Sequence, residues 1–444
     1  MEIKSLEQIT SLLNCKTTHC NQAFTNINID SRTIQPGELF WALKGERVDG
    51  HMFLKQAFDK GAIAAVVDKS YTGYHYNKPL LVVEDTLHAI QECVRQIIKR
   101  RKTRIVAITG SLGKTTVKEF TKTLLHSKYS VFATPGNYNS QVGIPLSILN
   151  HSSGKEEILI LEMGMTTPGN ITRLTHIAPP EVAAITNISL VHACNFDSLE
   201  GIALAKSEIF SQEATKLGII PFDTPYFSLL SQQGHCHKLS ASSQSQEADY
   251  FICDNIIHSK IEKKNIFIDS LPVPGKHNRY NFLVAATIAR HFNVSWEEII
   301  HTIPVLELPD RRLQFIRHKG IHFLNDSYNA AEASVKCALE TLPLPEQGGR
   351  KIAVLGSMME LGKFSIESHT RVGEHALKYV DSVFCLGEEC LPIYEIFKKA
   401  GKDSKLFFDR SQLVEFLRGF LKPSDVVLLK GSCSKELWKV LEEF

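Results

Sequence analysis

The run Ile105–Val106–Ala107–Ile108–Thr109–Gly110–Ser111–Leu112–Gly113–Lys114–Thr115–Thr116 constrains the fold of this chain more than any other stretch. Its apolar start predicts a parallel strand buried on both faces, and Val117 to Leu125 carries the periodicity of an amphipathic helix. The glycine-rich turn between them has the chemistry of a polyphosphate cradle. Glycines let backbone N–H groups approach phosphate oxygens, the helix N-terminus adds positive potential, and Lys114 supplies a point charge. A hydroxyl at Thr115 or Thr116 can complete the shell of a phosphate-bound Mg²⁺. Only two residues separate Gly110 from Gly113, so the loop is shorter than the common G-x-x-x-x-G-K-[ST] pattern. The expected ligand is ATP or a close relative.

At 444 residues the chain exceeds one ordinary core, and roughly two to four domains are expected. A hydrophobic content of 43% with 22% charged residues is that of a globular protein. The net charge of +2 argues against a nucleic-acid partner or an anionic membrane surface. No stretch is apolar enough over its length to span a bilayer, and the start Met1–Glu2–Ile3–Lys4 does not resemble a signal peptide. The ten cysteines lack C-x-x-C pairs, which predicts reduced thiols in a cytoplasmic setting. His235–Cys236–His237 stands in a polar stretch without a second ligand pair and reads as a solvated loop.

Three segments follow from the strand and helix rhythm. The first, to Glu84, contains Ile27 to Arg32, a turn and strand over Pro36 to Leu43, a helix near Phe53–Lys60 and a strand at Ala62–Val67. In the second, Ile158 to Glu162 and Val182 to Thr186 are short apolar runs of the kind found inside parallel sheets. Residues 231–246, rich in Ser, Gln and His, predict an exposed loop, with antiparallel strands expected at Phe251–Ile252 and Ile266–Ile268. The third segment holds Lys351 to Gly356, Ser382 to Gly387 and Val426 to Gly431, strands ending in glycine with helices between them, which predicts a second doubly wound α/β unit.

Candidate chemistry gathers after strands. Glu162 ends an apolar strand, the place where functional groups collect in open α/β sheets, and is a candidate Mg²⁺ ligand or a strand-end carboxylate facing water. His192 follows a strand and turn, and a lone histidine is as readily structural. Lys206 lies in a helical stretch where a surface lysine is the default. His277 and Asn278 can contact a base or start the following helix. Asp326–Ser327–Tyr328–Asn329–Ala330 can cap a helix or hold a ribose and phosphate.

Taken in order, these segments resemble the Mur ligases, ATP-dependent enzymes that form amide bonds in peptidoglycan synthesis. Thr109 to Thr115 is similar to the family's shortened phosphate loop, and Asp326–Ser327–Tyr328–Asn329–Ala330 to the signature of its dipeptide-adding branch. The resemblance implies a three-domain α/β architecture. A substrate domain would span 1–84, and a central ATP-binding P-loop domain with a parallel or mixed sheet 85–312. A Rossmann-like domain receiving the dipeptide would span 313–444. It implies ATP and Mg²⁺ as cofactors, UDP-N-acetylmuramoyl-tripeptide and D-Ala-D-Ala as substrates, and a cytoplasmic monomer.

Residue by residue, the resemblance implies Gly110, Ser111, Leu112, Gly113, Lys114, Thr115, Thr116, His277, Asn278, Arg312, Asp326, Tyr328 and Asn329 around ATP. Thr115, Glu162, His192 and a carbamylated Lys206 would serve the metal, with Lys114, His192 and Lys206 in catalysis. A carbamate suits that role because it is an anionic oxygen ligand, whereas an ammonium repels Mg²⁺. Ser31, Arg32, Lys44, Arg47, Asp49 and His51 would grip the UDP-sugar. Asn137 and Asn139 would face that substrate, and His369, Lys430 and Ser432 the dipeptide. The chain departs from the family at Ser357, where aspartate is usual, at Cys433, where arginine is usual, and at Ala331–Glu332, where Asn-Pro is usual. An acyl phosphate is the implied intermediate.

Overall fold

The apolar runs become the strands of three sheets. A computed structural model describes residues 3–15, 22–45, 48–74, 76–191, 193–346 and 348–444. Its first sheet holds Ile27–Asn28, Leu39–Trp41, Ala64–Asp68 and Leu80–Val83, all parallel and adjacent in chain order. The second has nine strands. Their spatial order is Lys264–Phe267, Ile256–Ser259, Tyr250–Cys253, His237–Ser242, Leu217–Pro221, Val182–Ile185, Arg104–Thr109, Ile158–Glu162 and Val131–Ala133. It is parallel except for the hairpin pairings made by Ile256–Ser259 and Lys264–Phe267 at one edge. The third runs Gln314–His318, Ile321–Asn325, Val426–Lys430, Lys351–Gly356, Ser382–Leu386 and Ser404–Phe407, with only the first strand antiparallel. Among the described residues no helix is long and apolar enough to cross a membrane.

Residues 231–246 differ from the loop expected of them, because His237–Ser242 is a strand inside the second sheet. Its polar composition hides the element. Ser240 and Ser242 are buried, with their hydroxyls donating to the carboxylates of Asp249 and Asp223. A hydrogen-bonded hydroxyl can be buried at little cost, so the strand needs no apolar alternation. The strands expected around Phe251 and Ile266 do form, and each pairs antiparallel with Ile256–Ser259.

The helix after the phosphate loop, Lys114–His126, buries Val117, Phe120 and Leu124, one face at helical spacing, against the long helix His277–His291. Ala285, Ala286 and Ala289 on that partner allow close approach, and complete burial of a side chain such as Phe120 contributes about 1.5–3 kcal/mol. The two helices therefore hold the loop and the His277–Asn278 segment in one rigid frame. The first sheet is tied to this frame by Asn150, whose amide exchanges hydrogen bonds with the backbone N–H and carbonyl of Ile27 at 3.0 and 2.8 Å. The side chain thus completes an edge strand as another strand would.

At the other end of the second sheet, Glu181 receives a fork from Arg104 at 2.9 and 2.8 Å and lies 3.1 Å from His291 and 3.5 Å from Lys216. The Arg104 hydrogen bonds are the main reason its carboxyl falls from 4.5 to about 2. A folded value below the unfolded one means that the stabilisation is complete above pH 4.5 and is lost as pH falls toward 2. Glu181→Gln is expected to flatten the acid limb of thermal stability in that window, measured as Tm against pH. A limb as steep as the parent's would refute this role.

Candidate active site

The glycine turn joins a strand buried from Ile105 to Thr109 to a helix N-terminus, and its glycines are required by contact. At Gly110, φ is +147° and an added Cβ would stand 1.9 Å from the Thr186 hydroxyl; at Gly113, φ is +82° and the Cβ would stand 2.5 Å from Asn281 Oδ1. Lys114 folds back so that its ammonium donates to the carbonyls of Gly110 and Ser111 at 2.8 and 3.3 Å. Ser111 is pinned by its hydroxyl to the Ser189 carbonyl. Thr115 and Thr116 are buried in the first helical turn.

Glu162 is the last residue of a strand with no exposed position. Its Oε2 accepts from the Thr115 hydroxyl at 2.8 Å and its Oε1 from the Asn139 amide at 2.9 Å. Arg312 reaches the same point from the end of the second segment, donating to Thr115 Oγ1 at 3.1 Å with its guanidinium 4.4 Å above the Tyr328 ring. Lys206 lies on the helix Leu199–Ser207 and is buried rather than on the surface. Burial first, then repulsion from Lys114, holds its amine well below the ordinary 10.5. Lys114 is also lowered by burial, against the pull of Glu162. Lys114 and Arg312 therefore outnumber the Glu162 carboxylate at this point, and the cavity favours a polyanion.

These groups share one cleft of about 910 Å³. Its walls include Gly110 to Thr116, Glu162, Lys206, His277, Asn278, Arg312, Asp326, Tyr328, Asn329 and Lys430, which the sequence separates by up to several hundred positions. His277 is held below the ordinary imidazole value by burial, opposed by Asp326. Asn278 donates to the Pro274 carbonyl at 2.6 Å and accepts from Asn281 at 2.9 Å. Asp326 pairs with Lys430, whose ammonium also donates to the Asn329 carbonyl at 3.0 Å, so the segment after Asn325 is a clamped turn instead of a helix cap.

Other expected residues lie elsewhere. Asn137 and Asn139 line the cleft, but Ser31, Arg32, Lys44, Asp49 and His51 stay on the first-sheet body, outside it. Ser31 donates to Gln56 at 2.7 Å, and Arg32 forks onto Asp30. Lys44 pairs with Asp49 through the backbone, and His51 uses both ring nitrogens, on Asp49 and on the Asp68 N–H. His369 and Ser432 shape the turn after Gly356 by accepting the N–H groups of Met358 and Met359. Arg47 and His192 lie outside the described residues. Asn281 and Tyr280 also line the cleft. The first was available to sequence reading, since Asn281 repeats Asn278 at helical spacing.

Two departures from the family pattern acquire local partners. Ser357 donates to Glu389, which stands 3.8 Å from Lys435, and Glu332 is forked by Arg371 and bonded by Lys336. Cys433 remains exposed at the cleft wall.

Gly110→Ala tests the turn. Forcing a side chain into its left-handed conformation costs about 1–3 kcal/mol. The expected result is a lower Tm together with a nucleotide affinity reduced about tenfold or more by calorimetry; parental affinity would show that this turn does not hold phosphates.

Residues 23–103, 108–289 and 311–433 match, in that order, the Mur ligase family catalytic domain, the Mur ligase middle domain and the Mur ligase glutamate ligase domain. The UDP-N-acetylmuramoyl-tripeptide–D-alanyl-D-alanine ligase of Bacillus subtilis is 32% identical, with 93% of this chain and 92% of that protein covered. Its Escherichia coli counterpart is 30% identical, with 98% and 97% covered. Crystal structure I of MurF from Acinetobacter baumannii has a TM-score of 0.87 at 26% identity over 100% of this chain and 99% of that one. MurF from Thermotoga maritima in complex with ADP has a TM-score of 0.77 at 29% identity over 94% and 96%. With three consecutive domain matches and relatives aligned along nearly its whole length, this chain belongs to the Mur ligase family.

Proposed function

We propose that this protein joins D-alanyl-D-alanine to UDP-N-acetylmuramoyl-tripeptide at the expense of ATP, giving the UDP-linked pentapeptide precursor of peptidoglycan. The observation that carries this reading is one cleft where the phosphate turn, the Thr115–Glu162 pair and buried Lys206 meet, in a chain that aligns end to end with ligases of that name.

In this reading the terminal carboxylate of the acceptor attacks the γ-phosphorus of ATP, releasing ADP and forming an acyl phosphate. The dipeptide amine then attacks the activated carbonyl, the C–O bond to phosphate breaks, and an amide and inorganic phosphate result. Charge spreads over the transferring phosphoryl group, so positioning and electrostatics dominate. Lys114 and the N–H groups of Gly110 to Thr116 would hold the polyphosphate. His277 and Asn278 would face the base, and Asp326, Tyr328, Asn329 and Arg312 the rest of the nucleotide. Thr115 and Glu162 are hard oxygen donors already 2.8 Å apart, a pair that fits Mg²⁺, and His192 and a carbamylated Lys206 would complete the set. Mg²⁺ held there supplies neutralising charge for the phosphates.

Burial favours the uncharged form of the Lys206 amine, the form that would react with CO₂ to give a carbamate and a proton. Ser31, Arg32, Lys44, Arg47, Asp49 and His51 would take the UDP-sugar, Asn137 and Asn139 the side of the cleft toward it, and His369, Lys430 and Ser432 the dipeptide. The working bodies are then 1–84, 85–312 and 313–444, and their closure would exclude water from the acyl phosphate. In this reading the reaction takes place in the cytoplasm and the protein works as a monomer.

Purified protein with ATP, Mg²⁺ and UDP-MurNAc-tripeptide should release phosphate only when D-Ala-D-Ala is present, with a product mass raised by the dipeptide residue. Phosphate release indifferent to the dipeptide would reject the specificity. Lys206→Ala is expected to lower kcat by about a hundredfold or more, with partial recovery on adding short carboxylic acids. A variant of parental activity would remove Lys206 from the metal set.

A further inference from the structure

Two neighbours hold the Glu162 carboxylate, and only one of them belongs to the phosphate loop. Thr115 takes Oε2, and the Asn139 amide donates to Oε1. A carboxylate cannot donate, so the group facing it must be the Asn139 NH₂. The surrounding backbone is built around this contact. The Asn139 carbonyl accepts from the Gly164 N–H at 2.8 Å, and a Cβ on Gly164 would stand 3.0 Å from the Asn139 amide carbon. Glycine after Met163 is what lets the amide lie against the strand end. At the other end of the same loop, the Thr134 hydroxyl accepts from the Glu162 N–H, and the Thr134 carbonyl accepts from the fully buried Lys118 ammonium at 2.5 Å. Residues 134–139 thus grip Glu162 by both its backbone and its side chain.

We infer that Asn139 is a positioning residue for the divalent cation. It fixes the rotation of the Glu162 carboxylate by occupying Oε1, and it leaves Oε2, the oxygen beside Thr115, to the metal. Second partners of metal-binding carboxylates act in this way, and removing one lowers metal affinity by about ten- to a hundredfold. The assignment rests on the reading of Thr115 and Glu162 as metal ligands given above. It also moves Asn139 from the substrate to the metal, while Asn137, which has no hydrogen bond to Glu162, stays with the acceptor.

The test is Mn²⁺ titration of the full chain followed by the EPR signal of free Mn²⁺, with a non-hydrolysable ATP analogue present. The nucleotide alone serves as the blank. Asn139→Ala and the similarly sized Asn139→Leu should each bind Mn²⁺ about ten- to a hundredfold more weakly than the parent. Nucleotide affinity measured in chelator should be unchanged, and Asn137→Ala should keep parental Mn²⁺ affinity. Parental Mn²⁺ affinity in either folded Asn139 variant overturns the inference while leaving the ligase reading intact. A parent that binds no Mn²⁺ beyond the nucleotide blank overturns the metal reading itself, and the inference with it.

Discussion

A parallel sheet buried on both faces can present charge only where its strands end, and that constraint organises this protein. Between their end residues Arg104–Thr109 and Ile158–Glu162 are apolar, as is all of Val182–Ile185, and helices cover them on either side. Polar chemistry is therefore expelled to the carboxyl ends, where Gly110, Glu162 and Thr186 emerge side by side. The cleft is the meeting place of those ends with the helix His277–His291 and the first turn of the third segment.

The second organising fact is an excess of positive charge in that cleft. Lys114 and Lys206 repel each other, Arg312 adds to the field, and Glu162 alone pulls the other way among the groups that perturb Lys114. An isolated buried ammonium is costly, so such an arrangement persists because its normal occupants carry negative charge. ATP supplies that charge on one side. At Lys206 a carbamate would turn an amine that burial already drives toward its uncharged form into an anion.

Local chemistry was legible in the residues themselves. The glycine turn, the strand before it and the helix after it depend on neighbours within a dozen positions, and each formed where the pattern put it. The strand His237–Ser242 escaped because its burial relies on carboxylates of Asp223 and Asp249 that periodicity cannot see. Lys206 shows the same limit from the opposite side. Its helix looks like a surface element in sequence, and only the burial of Leu199–Ser207 in the hydrophobic core puts the amine in the cleft.

The sequence by itself determined the phosphate turn, the apolar strands and the residue types able to meet a nucleotide, because these follow from backbone sterics and short-range periodicity. The tertiary structure decided which of them act together. It brought Arg312 to Thr115 across nearly two hundred positions and set Asn139 on Glu162. It also left His51 with both nitrogens spent on its own domain. Hydrogen-bond partnership is a property of three-dimensional distance, and no spacing along the chain encodes it.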